Sequence, residues 1–167
     1  ISAVISKVFE YCILERFQSF LSTVDNQFGF KKGLSCSHAI FTVRSLIERF
    51  NSGGSTVNLC AIDLSKAFDK VNHCALLIKL MQRNIPINLL CVFEQWFSKS
   101  STSVKWKTVM SSMFNIAFGV RQGSVLSPHL FAIYVNDILK RFNLNQRLFI
   151  VIYADDILVS MQASEME

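Results

Sequence analysis

The chain has 167 residues, 51% of them hydrophobic, with 15 Phe and a formal net charge of +5 from 17 basic and 12 acidic side chains. That hydrophobic fraction excludes an intrinsically disordered chain, and the length suits one domain with a sizeable core. The basic surplus suits a polyanionic partner without proving one.

Ile5 to Leu21 carries apolar residues at helical spacing (Ile5, Val8, Phe9, Cys12, Ile13, Phe17, Phe20 and Leu21), which predicts an amphipathic helix. A basic loop punctuated by glycine follows, Gln27 to Ser37. A second helix is expected from about His38 to Asn51, with Ser35 or Ser37 available as its cap. Ser52-Gly53-Gly54-Ser55 reads as a turn. Val57 to Ile62 fits a mostly buried strand, with Asp63 at its C-terminal end.

Helical segments are expected at about Cys74 to Arg83 and Asn88 to Phe97, divided by Pro86. Ser101 to Lys107 alternates polar and bulky residues and reads as a strand, with Phe114 to Val120 as its partner. Ser127-Pro128 opens a helix to about Phe142. The serine accepts hydrogen bonds from free amides at the helix start, and the proline gives up an amide that had no partner. Leu148 to Tyr153 is a strand, Ala154-Asp155-Asp156 a tight turn, and Ile157 to Ser160 the returning strand. The order predicts an α+β fold, with helices packed on a largely antiparallel sheet.

Cys12, Cys36, Cys60, Cys74 and Cys91 are scattered, with no C-x-x-C pair and no zinc spacing. They read as reduced, partly buried thiols of an intracellular protein, in nucleus or cytoplasm. No apolar run approaches the roughly 18 residues of a membrane helix. The first residues carry no signal-peptide pattern and no initial Met, so the chain reads as a fragment of something longer.

Three places can carry chemistry. Asp155-Asp156 lies between two apolar strands, where adjacent carboxylates repel each other in a lowered dielectric. A divalent cation such as Mg²⁺ relieves that repulsion; a solvated hairpin turn is the competing reading. Asp63 also ends a strand, and carboxylates at two neighbouring strand ends can meet at one sheet edge, the arrangement of two-metal phosphoryl transfer. Its competing reading is a helix cap near Lys66. In Gly119-Val-Arg-Gln-Gly-Ser-Val-Leu-Ser-Pro128, two glycines let backbone lie close to a ligand, Arg121 offers a fork for phosphate, and Gln122 can bond a base or sugar. An ordinary strand-to-helix connection is the alternative.

Taken in order, these stretches resemble the motifs of reverse transcriptases of non-LTR (LINE-type) retrotransposons. Ala61-Ile-Asp-Leu-Ser-Lys-Ala-Phe-Asp-Lys-Val-Asn-His73 resembles their first catalytic motif, Gly119 to Ala132 the second palm motif, and Tyr153-Ala-Asp-Asp156 the third. Ile5-Ser-Lys-Val-Phe-Glu10 and Gln27-Phe-Gly-Phe-Lys-Lys-Gly33 are similar to the fingers motifs. The resemblance implies a polymerase right-hand fold with fingers at about 1–56 and palm at about 57–167. It also implies a fingers-like helical insert at about 74–112, and a thumb and remaining palm outside this chain.

It further implies roles for single residues. Asp63 and Asp155 are the main ligands of two Mg²⁺ ions (Mn²⁺ being the alternative), with Asp156 a neighbouring carboxylate. Phe68 lies under the sugar of the incoming nucleotide and rejects a 2′-hydroxyl. Arg121, Gln122 and Gly123 line the nucleotide pocket, and Lys31 and Lys32 reach phosphates. Gly119, Ser124 and Tyr153 lie along template and primer. Lys31 departs from the family pattern, where Arg is frequent, and loses bidentate geometry. The implied partners are an RNA template, a DNA primer and dNTP, with no membrane and no oligomeric state indicated. A catalytically inactive remnant, or a nucleic-acid-binding fragment, is the rival reading. Asp69 and Lys66 receive no chemical role, and His73 reads as structural.

Overall fold

The structure, a computed structural model, describes residues 4–142 and 148–163. Its helices are α1 (Val4–Arg16), α2 (Cys36–Ser52), α3 (His73–Gln82), α4 (Ile87–Ser98) and α5 (Ser127–Phe142). Its strands are β1 (Thr56–Asp63), β2 (Ser101–Thr102), β3 (Lys105–Trp106), β4 (Val109–Met110), β5 (Phe114–Asn115), β6 (Leu148–Tyr153) and β7 (Asp156–Ala163). The fold is α+β, and these strands pair with one another antiparallel. The chain divides into two compact units, Ile1–Leu21 with Phe68–Tyr134, and Ser22–Ala67 with Val135–Glu167.

In the first unit, the Asn72 side chain caps α3 by accepting from the Ala75 amide at 2.9 Å. Pro86 cannot continue a helix, and it stands as the residue before α4. Leu76 and Leu80 of α3, and Leu89, Phe93 and Phe97 of α4, recur every fourth position and are buried. Each contributes about 1.5–3 kcal/mol by leaving water.

Two expectations change here. The apolar stripe of α1 is largely exposed: Ile5 and Val8 face outward, and the residues the helix buries are Glu10 and Ile13. Helical periodicity marked the helix but not its buried face or its end: α1 stops at Arg16, short of the expected Leu21, and Gln18–Phe20 is a separate 3-10 turn. The stretch 101–107 is not one strand either. Its first part, β2, pairs with β5, while β3 turns back on β4 through Lys107, whose φ is 55°.

The second unit holds a three-stranded sheet in the order β1-β7-β6. Ile152 stands opposite Ile157, and Ile157 opposite Ile62, so these three share one face. Ile150, Ile152 and Ile157 on that face form a core with Leu139 of α5, flanked by Val24, Ile138 and Val159. The other face carries Ala61, Asp63, Val151, Tyr153, Asp156 and Leu158, which line a cleft of about 690 Å³ together with Ala39, Val43 and Ile47 of α2. The register thus commits Asp63 and Asp156 to the α2 side of the sheet.

β1 was expected to be mostly buried and is instead exposed along nearly its whole length. Among the described residues it is the edge strand, bonded on one side only, and Leu59 and Ile62 are left nearly half exposed. The cysteines correct in the same direction. All five are free and exposed. No described helix is long and apolar enough to cross a membrane.

Candidate active site

Asp63 closes β1 and Asp156 opens β7, and the two are register partners. Directly opposed residues of an antiparallel pair put their side chains on one face with Cβ atoms about 4.5–5.5 Å apart. Like charges so placed are destabilising unless something between them supplies positive charge. Both residues are exposed. Among the described residues no group of three or more His, Cys, Asp or Glu is placed to hold a metal ion. The opposed pair offers two carboxylates, which are hard oxygen donors. Mg²⁺ is held by one or two carboxylates together with substrate phosphates, so the donor set fits that ion.

Asp155 occupies the hairpin loop. Tyr153 and Asp156 form the last pair, leaving Ala154 and Asp155 as the connection. Ala154 adopts φ 58°, a left-handed conformation that costs an L-residue about 1–2 kcal/mol. The contacts that hold this turn come from a segment early in the chain. Ile152 donates its N–H to the Asn26 carbonyl at 2.9 Å, and Phe28 donates to the Ile152 carbonyl at 2.8 Å, extending β6 by a parallel bridge. The Gln27 side chain is buried, and its Oε1 accepts from Gly29 N–H at 2.9 Å and Ala154 N–H at 3.3 Å. Its buried Nε2 has no hydrogen-bond partner among the described residues. Gly29 packs so closely that a Cβ there would lie 2.3 Å from the Ala154 nitrogen.

Of the two loop lysines, Lys31 turns back and donates to the Val24 carbonyl at 2.6 Å, while Lys32 is exposed. Burial pushes the Lys31 ammonium below its ordinary range, and the charge of Asp25 acts against that.

The first unit joins the other two motifs. Gly119 donates to the Val71 carbonyl at 2.7 Å, and Val120 to the Phe68 carbonyl at 2.9 Å. His73 Nε2 donates to the Gly119 carbonyl at 2.7 Å while its ring stacks on Phe97. Gly119 has φ 91°, and a Cβ there would come within 3.0–3.2 Å of the Asp69 backbone, so a side chain is excluded twice over. Phe68 is half-buried and stacks on Phe131, ring centroids 4.8 Å apart. Arg121 to Ser124 forms a turn, with the Ser124 amide bonded to the Arg121 carbonyl and Gly123 at φ 80°. Arg121 and Gln122 are exposed and line a cleft of about 500 Å³ with Asp69, Trp96 and Phe118.

The start of α5 departs from expectation. The Ser127 hydroxyl was expected to receive the free amides. Instead the Ser127 amide donates to Ser124 Oγ at 3.2 Å, and the amides of Val125 and Leu126 go to the carboxylate of Glu10. Neither Glu10 nor Gln27 was singled out from sequence. Their signal was the pair of early motifs they belong to, which assigned them no role.

The chain matches the reverse transcriptase (RNA-dependent DNA polymerase) family over residues 1–166. It belongs to that family. It is 29% identical over 164 residues to a Drosophila melanogaster protein named Probable RNA-directed DNA polymerase from transposon X-element, covering 95% of this chain and 18% of that protein. It is 30% identical over 141 residues to the RNA-directed DNA polymerase from mobile element jockey of Drosophila funebris, covering 80% and 15%. A Nasonia vitripennis Pol polyprotein from a type-1 retrotransposable element R2 is 26% identical over 114 residues, covering 64% and 11%. This reverse transcriptase chain thus spans less than a fifth of the length of these retrotransposon relatives.

Proposed function

We propose that this chain is the fingers and palm portion of a retrotransposon RNA-directed DNA polymerase, which extends a DNA primer with dNTP on an RNA template. Fingers take about residues 1–56 and palm about 57–167 of a right-hand fold, with the helical insert at about 74–112. The observation that carries the reading is the pairing of Asp63 with Asp156 beside the Asp155 turn, in a chain that belongs to this family.

Asp63 and Asp155, with Asp156 beside them, hold two Mg²⁺ ions (or Mn²⁺), which lower the cost of deprotonating the primer 3′-hydroxyl and of charge on the departing pyrophosphate. The chain's own residues position the reactants. The Phe68 ring, packed on Phe131, blocks the space a 2′-hydroxyl needs and selects deoxynucleotides. Arg121 offers its guanidinium fork to phosphate, Gln122 and Gly123 line the nucleotide pocket beside it, and Lys32, with Lys31 next to it, reaches phosphate from the fingers. Gly119, Ser124 and Tyr153 lie along template and primer. Catalysis is chiefly alignment and charge neutralisation.

The test is Asp155→Asn in the complete protein that contains this chain, assayed by Mg²⁺-dependent primer extension. Incorporation should fall on the order of a thousandfold. An unchanged rate ends the metal assignment, and ready use of rNTP ends the role given to Phe68.

A further inference from the structure

Glu10 is fully buried on α1, and its two carboxylate oxygens are occupied. Oε1 accepts from the Ser6 hydroxyl at 3.2 Å. Oε2 accepts from the Ser124 hydroxyl at 2.6 Å, from the Leu126 amide at 3.0 Å and from the Val125 amide. The last three donors lie 114 to 116 residues further along the chain.

Val125 and Leu126 stand just before α5, where the first amides of a helix have no intrahelical acceptor. That end of the helix also carries partial positive charge, so a carboxylate is the favoured acceptor there. Charge-assisted bonds from backbone amides are about twice as strong as neutral ones. A carboxylate buried without such donors would be expelled or neutralised. The geometry therefore has a reason to stay fixed: Glu10 needs these donors as much as they need Glu10.

We propose that Glu10 is a positioning residue for nucleotide binding. It clamps Ser124, Val125 and Leu126, and so fixes the turn Arg121-Gln122-Gly123-Ser124 that ends on its ligand. The step from clamp to nucleotide rests on the roles proposed above for Arg121 and Gln122; the clamp itself does not. Glu10 touches no reactant in this scheme and acts only through the loop.

Two measurements on the complete protein separate the parts. The first is amide hydrogen exchange of the unsubstituted protein, resolved across 122–127. Val125 and Leu126 should exchange at least about tenfold more slowly than exposed Gln122 and Gly123, and Glu10→Gln should abolish that difference. Equal rates in the unsubstituted protein overturn the clamp, whether or not any variant folds. The second is steady-state primer extension on a homopolymeric RNA template with its complementary dNTP. Glu10→Gln should raise the KM for dNTP about tenfold with kcat within about twofold, and Glu10→Asp should recover part of the loss. A fall in kcat at constant KM marks a merely structural residue and overturns the positioning role. Absence of any extension by the unsubstituted protein ends the polymerase reading instead, and leaves the exchange result to decide the clamp.

Discussion

Two loops of this molecule are held by the same device with opposite chemistry. In the second unit the Ala154-Asp155 turn rests on Gln27, an uncharged amide 127 residues away from Ala154 along the chain. In the first unit the 121–126 loop rests on Glu10, a carboxylate. Each brace is buried, each accepts from backbone amides, and each comes from an early segment of the sequence. The difference follows from what surrounds the amides. Gln27 works beside Asp155 and Asp156, where another negative charge would be repelled. Glu10 works at a helix start, where negative charge is favoured. A brace therefore has to match the local field as well as the local shape.

The most severe way to break this comparison is to give the second unit the brace of the first. Gln27→Glu keeps the acceptor oxygen and nearly the volume, but puts a buried carboxylate against the turn that carries Asp155. An uncompensated buried charge costs about 3–5 kcal/mol, so urea unfolding of the second unit, followed by hydrogen exchange in β6 and β7, should show a loss of that order. Gln27→Met removes the acceptor and strands the Gly29 and Ala154 amides, at about 1–3 kcal/mol. If Gln27→Glu proves as stable as the parent, the field argument is wrong and shape alone explains both braces.

Steric fit gives the next largest effect. Gly29→Ala forces a Cβ to 2.3 Å from one backbone atom of Ala154 and 2.9 Å from another, and neither can swing away. Overpacking of this kind costs about 1–3 kcal/mol, and here it displaces the turn that carries Asp155. Gly119→Ala meets the Asp69 backbone at 3.0–3.2 Å and adds strain at φ 91°, at roughly 1–2 kcal/mol. Thermal melting should place Gly29→Ala below Gly119→Ala, with the lost primer extension greater for Gly29→Ala. The reverse order would mean that the 26–29 segment yields more easily than the 68–73 segment.

Much of this architecture is legible in the sequence, for physical reasons that also mark where reading stops. The hairpin β6–β7 was visible because an apolar run interrupted by two aspartates has one economical conformation; β6 keeps its expected bounds, while β7 takes Asp156 out of the expected turn and runs on to Ala163. The start of α5 was visible in Ser127-Pro128 because proline tolerates only the first turn of a helix. Burial of β1 was misjudged because an apolar run specifies a strand, whereas its place at the edge depends on what lies beyond it. Glu10 and Gln27 were silent because a lone Glu on a helix, or a Gln in a loop, ordinarily faces water. Only contacts across more than a hundred residues bring them inside.

The smallest effect tests the same field from the other side. If the start of α5 favours an anion, it should disfavour a cation, and His129 lies in its first turn. Desolvation by burial lowers the His129 pKa from 6.5, with a hydrogen bond to the Val125 backbone acting against it, and its buried Nδ1 has no partner among the described residues. The positive end of the helix dipole pushes the same way as desolvation. In the unfolded chain this imidazole takes up its proton near the ordinary value, whereas the folded chain resists until the pH is lower. Stability from neutral His129 is therefore complete above about pH 6.5 and is lost as the pH falls from there through the lowered folded value. The urea midpoint should drop modestly between pH 7.5 and 5.5, and His129→Gln should remove that part of the drop while leaving the carboxylate contribution in place. A parent midpoint that rises on acidification would show that the imidazolium is welcome there, and the helix start could no longer be the reason that Glu10 is a carboxylate.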